Sequence, residues 1–271
     1  MIAALVDNGS LRPAAHRSLR TLAATLSTRT GTEVHAVSWK YSDRIPPEFL
    51  GGSPAWTTAP WLRAEYAAGQ RDFVFMPFFV SPQGAVGSRL HREVGELRRH
   101  LEGCRISFTP GLAVPGALAR IAGLRVRETI TANHLLRPAL VLVDHGGPSA
   151  ASAAVRDEIA AGVRRELGHD IRALAVASLG GSRHAHNRPS YAEAFALPGF
   201  DRGEVVVAPL FLAPGRHAGP AGDLARIASL AAMRRPSLTC YFTELPGTHP
   251  HVVDVLADGL GQALAQHPVR R

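Results

Sequence analysis

An α/β fold built as two tandem, doubly wound domains with mainly parallel sheets is what this sequence predicts, on three observations. Short apolar strand-like runs alternate with longer stretches of helical spacing along the whole chain, the pattern of parallel strands joined by crossover helices. The same order of segments occurs twice. The turns also recur at a near-constant distance across the 271 residues: Val6-Asp7-Asn8-Gly9-Ser10 returns as Val143-Asp144-His145-Gly146-Gly147, and Pro77 and Cys104 return as Pro209 and Cys240, at offsets of 137, 132 and 136.

The elements follow in order. Ile2 to Val6 is a continuous apolar run, as expected of a strand covered on both faces, and Pro13 to Leu26 carries Leu19, Leu22 and Leu26 at helical spacing. Val34 to Val37 forms a second strand. A loop rich in Pro and Gly leads to a helical stretch around Trp61 to Ala68, then the strand Phe73 to Phe79, a helix from about Gly87 to Leu101, the strand Arg105 to Phe108 and a closing helix that begins at Pro115 to Leu124. The second copy reads Ala139 to Val143 as strand, Ala151 to Leu167 as helix, and Ile171 to Ala177 and Glu204 to Leu210 as strands. Helix Leu224 to Met233, strand Leu238 to Phe242 and an amphipathic helix Val252 to Leu264 complete it. The join falls around Thr131 to Pro138, so the expected domains are 1–134 and 135–271.

Composition narrows the function classes. Hydrophobic residues at 46% and charged residues at 19% suit a folded chain with a sizeable core. No apolar run reaches the ~18 to 20 residues of a membrane span, and no leader pattern stands at the N-terminus, so a cytoplasmic protein with no membrane partner is expected. Cys104 and Cys240, at matching places on strands, read as small core residues. The net charge of +8 attracts anions, but the basic residues form no stripe and are not interleaved with aromatics. No nucleic-acid partner is expected. Neither glycine turn spells a P-loop or GxGxxG, which sets a nucleotide-binding module aside.

The two copies differ in their chemistry. Aligned on their prolines, His145 stands opposite Asn8, and His217, in Ala208-Pro209-Leu210-Phe211-Leu212-Ala213-Pro214-Gly215-Arg216-His217, stands opposite Ala85. In open α/β sheets ligands collect beyond the carboxyl ends of strands, where both histidine turns fall. Either histidine alone reads as a local turn residue. Together, two imidazoles at one sheet edge can bind a borderline metal ion or move protons.

These residues resemble the sirohydrochlorin chelatases, the class II chelatase family, in its tandem-domain form: Asp144-His145-Gly146, then Ala208 to Leu212 with Gly215 and His217, and later Pro246-Gly247-Thr248-His249-Pro250. The resemblance implies two chelatase-like domains facing each other across a cleft, in a monomer with pseudo-dimeric halves. It also implies ATP-independent insertion of cobalt or ferrous iron into sirohydrochlorin, a polycarboxylate tetrapyrrole, for siroheme or cobalamin biosynthesis. It places the catalytic and metal-binding histidines on His145 and His217. The divalent metal is a substrate, and no organic cofactor is implied. Asn8, Ser10, Lys40 and Arg216 are the substrate-binding candidates, because cations and small polar groups can contact the ring's carboxylates.

Family members often carry an acid after the second strand. Here the stretch is Ser178-Leu179-Gly180-Gly181-Ser182, with His184 and His186 just downstream. Those histidines can substitute for the acid or simply belong to a solvated loop. His249 and His251 are expected to be structural or peripheral, opening a helix behind Thr248 as N-cap, and His16 and His91 to face solvent on their helices. A non-catalytic metal- or tetrapyrrole-binding protein of the same fold is the alternative reading.

Overall fold

Apolar runs as continuous as Ile2–Val6 and Ala139–Val143 must be covered on both faces, and both become central strands in the computed structural model, which describes residues 1–81, 85–219 and 221–266. The order is β1 (Ile2–Asp7), α1 (Pro13–Thr30), β2 (Val34–Ser38), β3 (Trp56–Thr57), α2 (Thr58–Ala67), β4 (Asp72–Pro77), α3 (Ala85–Arg98), β5 (Arg105–Phe108) and α4 (Ala117–Ala132). It continues with β6 (Ala139–Asp144), α5 (Ala150–Leu167), β7 (Ala173–Ser178), α6 (Tyr191–Ala194), β8 (Gly203–Pro209), α7 (Asp223–Arg234), β9 (Leu238–Phe242) and α8 (Pro250–Gln266). One sheet runs β3-β2-β1-β4-β5 and the other β7-β6-β8-β9, with every strand pair parallel. The two doubly wound sheets that the sequence predicts are therefore present.

The division of the chain differs from the expected 1–134 and 135–271. Unit 1 comprises Met1–Val114 together with the C-terminal segment from Pro250, and unit 2 comprises Pro115–His249. Each copy's last helix belongs to the other copy's unit. The physical reason is close helix packing: α4 lies against α5, and a Cβ on Gly162 would collide with the Ala119 side chain. In unit 1, α8 packs along α1, with Arg29 3.2 Å from Asp254. Chain order alone does not say which sheet an amphipathic helix covers.

Unit 1 centres on Trp61, fully buried with its ring edge-on to Phe73 and Phe75 at 5.8 and 5.7 Å between centroids. Unit 2 has an aliphatic core of Val141, Val143, Val205 and Val207, closed by Tyr191 and Phe195. These aromatics come from α6, a single turn that the sequence reading passed over. Its capping box, Ser190 with Glu193, was the available signal.

The cysteines are not counterparts. Ile106 pairs with Phe73, four residues before Pro77, and Cys240 pairs with Val205, four residues before Pro209, so Cys240 matches Ile106. Cys104 sits one residue ahead of β5, and both thiols are free. Burial pushes the Cys240 thiol up to about 11. Among the described residues no helix is long and apolar enough to cross a membrane.

Candidate metal centre

In unit 2, β6 is flanked by β7 and β8, and the crevice beyond the carboxyl ends of β6 and β8 is the topological switch point of the sheet. Both site histidines follow these strands. His145 comes directly after β6, where Gly146 at φ +73° turns the chain. A Cβ there would strike the Gly180 carbonyl oxygen and stand 2.9 Å from the Ser178 Cβ. Leu210 N–H donates to the Val143 carbonyl at 2.8 Å and carries the chain off β8 towards Phe211 and His217.

The structure brings the two imidazoles together. Their ring centroids are 5.0 Å apart at an interplanar angle of 61°, with Phe211 alongside both. Metal–nitrogen bonds of ~2.1 Å place two imidazoles that share an ion within roughly 6 Å, centroid to centroid, so the pair fits a common ion. His145 is exposed and His217 half-buried, which leaves the pair open to solvent. Among the described residues no set of three or more His, Cys, Asp or Glu side chains is arranged to hold an ion.

Asp223, at the start of α7, orients His217. Its Oδ2 lies 2.7 Å from His217 Nδ1, so Nδ1–H donates to the carboxylate and Nε2 keeps its lone pair for a ligand. The hydrogen bond from His217 is the largest cause holding the Asp223 carboxyl below its ordinary value, with Arg226 and Arg216 adding to it. Arg216 itself is exposed, its Nε 3.8 Å from Asp223 Oδ2. Leu224 N–H donates to the His217 carbonyl at 3.2 Å, which ties the loop to the helix.

A second layer lies under His145. Asp144 accepts from the Ser178 hydroxyl at 2.5 Å, and the Arg156 guanidinium donates to Ser178 Oγ at 2.7 Å and to the His186 carbonyl at 2.8 Å. Arg156 also pairs with Asp157 at 2.7 Å and lies 3.6 Å from Asp144. The sequence reading missed Arg156, Ser178 and Asp223. The signal for Arg156 was a charged residue within the stripe Ala153, Ala160, Val163 and Leu167 that α5 buries.

His184 and His186 do not lie on an extended segment. His186 sits in a 3-10 turn, Ala185–Asn187, and its ring stacks on His184 at 5.3 Å. The loop is fastened to the histidine turn: His186 Nε2 lies 3.0 Å from the Gly147 carbonyl, Asn187 donates to the same oxygen at 2.7 Å, and Gly180 N–H donates to the His145 carbonyl at 2.9 Å.

Unit 1 carries the matching edge without histidines. Asn8 is exposed beyond β1, and Ser10 exchanges hydrogen bonds with Ser42, its N–H donating to Ser42 Oγ and its carbonyl accepting from that hydroxyl, both at 3.2 Å. Lys40 lies over the Trp39 ring at 4.1 Å with Nζ 3.6 Å from Glu93, so its charge is partly engaged. Pro82, Gln83 and Gly84 of the first-copy phrase lie outside the described residues, and nothing is drawn from the Ala85 side chain.

Of the other histidines, His16 departs from expectation, whereas His91 and His249 agree with it. His16 is buried at 1% exposure rather than facing solvent, and burial, then Arg20, holds its pKa down to about 4. His91 is exposed but stacks on Phe108 at 4.0 Å. His249 is buried with Nε2 3.4 Å from Glu128, and the Thr248 hydroxyl donates to the Leu245 carbonyl at 2.9 Å.

The CbiX family model matches residues 139–263, from the start of β6 into α8 and across both histidine turns. Residues 139–263 belong to the CbiX family. None of the curated proteins matches the chain in sequence. The fold of the whole chain is that of several solved chelatase structures. SirB from Bacillus subtilis, solved with Fe3+, has a TM-score of 0.72 at 14% identity over 98% of both chains. The sirohydrochlorin chelatase SirB of Bacillus subtilis subspecies spizizenii, in complex with cobalt, has 0.70 at 14% over 99% of this chain and 97% of its own. CbiX, the terminal enzyme for biosynthesis of siroheme in denitrifying bacteria, has 0.62 at 17% over 97% of this chain and 100% of its own. The CbiX-matching segment thus carries both turn histidines, and the first copy, with Asn8 in place of the first of them, shares the fold.

Proposed function

We propose that this protein inserts a divalent metal, cobalt or ferrous iron, into sirohydrochlorin without ATP, using His145 and His217. One observation carries the reading: the CbiX segment brings two imidazoles to 5.0 Å at the switch point of its sheet, one of them fixed by a carboxylate. The solved relatives named SirB, one with Fe3+ and one with cobalt, support the choice of metals.

Each residue has a role in this proposal. Asp223 holds the His217 tautomer so that Nε2 points its lone pair away from the carboxylate. His145, exposed beside it, completes a two-nitrogen site that binds a borderline ion without caging it. Metal insertion releases two pyrrole N–H protons, and a neutral imidazole nitrogen is a chemically suitable acceptor for each. His184 and His186, fastened to the same turn, take the place of the family's acid as bases in this proposal. Arg216 is proposed to read a ring carboxylate. Asn8, Ser10 and Lys40, at the matching edge of unit 1, are proposed as further substrate contacts. The protein is proposed to act in the cytoplasm as a monomer with pseudo-dimeric halves, serving siroheme or cobalamin synthesis.

The absence of an acid in Ser178–Ser182 favours a second reading, a non-catalytic metal- or tetrapyrrole-binding protein of the same fold. The test is to mix the purified chain with Co2+ and sirohydrochlorin and follow the absorbance. Acceleration over the spontaneous reaction, lost in both His145→Ala and His217→Ala, is the expected result. Tight binding without acceleration establishes the second reading, and full activity in both variants refutes the site.

A further inference from the structure

The two copies share an Asp-Ser step at the ends of their first two strands. In unit 1, Asp7 at the end of β1 pairs in register with Ser38 of β2; in unit 2, Asp144 pairs with Ser178 in the same way. The helices that follow are 18 residues each and begin 137 positions apart, at Pro13 and Ala150. At that offset Arg156 corresponds to Leu19, and both side chains are buried. A buried arginine carries a large desolvation cost, which it offsets only by filling its donors. Arg156 does so with Asp157, Ser178 and the His186 carbonyl. Ser178 is bonded to Asp144, the residue before His145, and the His186 carbonyl belongs to the His184–His186 loop.

We propose that Arg156 is a positioning residue of the metal site: from inside α5 it locks the His145 turn to the His184–His186 loop. Through Ser178 it holds Asp144, the residue before His145, and through the His186 carbonyl it holds the loop whose ring reaches back to Gly147. The inference rests on the metal-site reading above. The rigid fork is what the geometry needs, since three separate acceptors are held by one planar group. An imidazole left free to swing at His145 loses ligand alignment, and partners of this kind, one step removed from the ligand, typically change metal affinity 10–100-fold.

The test uses the full chain with Arg156→Leu and Arg156→Lys. Leucine is what unit 1 already accommodates at the matching position. Co2+ binding is followed by calorimetry and by the visible ligand-field spectrum, which reports ligand geometry independently of turnover, and folding is followed by circular dichroism. The expected result for folded Arg156→Leu is Co2+ affinity ~10–100-fold weaker with an altered spectrum, partly restored in Arg156→Lys. Wild-type affinity and spectrum in the folded variant overturn the proposal even if its unfolding temperature drops. If Arg156→Leu does not fold, Arg156→Lys decides alone: weakened affinity with an altered spectrum supports the proposal, and wild-type affinity or spectrum refutes it. His145→Ala serves as reference. If it too leaves Co2+ binding unchanged, the metal-site reading has failed and this inference falls with it; if it abolishes binding while Arg156→Leu does not alter it, only the role of Arg156 is lost.

Discussion

Replacing Asp7 by asparagine should stabilise unit 1 at neutral pH and leave it unchanged in acid. Burial pushes the Asp7 carboxyl up to about 6, against the lowering effects of the Ser38 hydroxyl and the Gly9 N–H, which donates to Asp7 at 2.9 Å. The folded chain therefore binds this proton more tightly than the unfolded chain, and the associated stability is complete below the ordinary value of 3.8 and is lost as pH rises through about 6. That gap corresponds to ~3 kcal/mol, and the partial exposure of Asp7 reduces the realised effect to about 1–2 kcal/mol. His16 works in the opposite direction: its pKa is held down to about 4, so the stability it contributes is lost as pH falls from 6.5 through 4. The two groups offset each other in the wild-type protein. Asp7→Asn should expose the His16 slope, with unit 1 gaining stability from pH 4 to 7 more steeply than wild type. The three tryptophans, Trp39, Trp56 and Trp61, all lie in unit 1, so urea unfolding followed by tryptophan emission reads that unit alone. Parallel wild-type and Asp7→Asn profiles from pH 4.5 to 8 would refute the burial argument.

Three further outcomes follow from the geometry. Asp223→Ala should weaken Co2+ binding ~10–100-fold by releasing His217, measured by calorimetry, while far-ultraviolet dichroism stays the same. Gly146→Ala places a Cβ against the Gly180 carbonyl at positive φ and should destabilise unit 2 by about 2–4 kcal/mol, read as a lower calorimetric unfolding temperature. His16→Leu removes two ring nitrogens without hydrogen-bond partners from the core and should stabilise unit 1 by about 1–3 kcal/mol at pH 7, with a larger gain at pH 4.5, by tryptophan-detected urea unfolding.

Strands and their parallel order were legible because apolar runs such as Ile2–Val6 and Val205–Ala208 state their burial in local sequence. The meeting of His145 and His217 was legible for a related reason: each follows a strand that ends at the same sheet edge. The exchange of α4 and α8 was not, because the close approach of Gly162 to Ala119 that fixes α4 depends on residues 43 positions apart. His16 was misread because its helix buries Ala15, Leu19, Ala23 and Leu26 on a face that includes it, and the identity of a histidine outweighed its position. Asp223 escaped notice because an acid in a helix's first turn already has an adequate explanation in the helix dipole.

The same reasoning bears on how one copy came to hold the candidate chemistry. Exposed turn residues such as Asn8 and His145 can interchange at little cost to the fold, since neither is buried. Leu19 and Arg156 cannot, because a guanidinium in the unit 1 core would need acceptors equivalent to Asp157 and the His186 carbonyl. In unit 1 the following helix carries leucine at this position and burial raises the Asp7 carboxyl to about 6; in unit 2 the same Asp-Ser step is joined to arginine. The functional difference between the copies therefore extends into the core. A change confined to the surface histidines would give unit 1 its donors on a turn with leucine, not arginine, at the matching helix position.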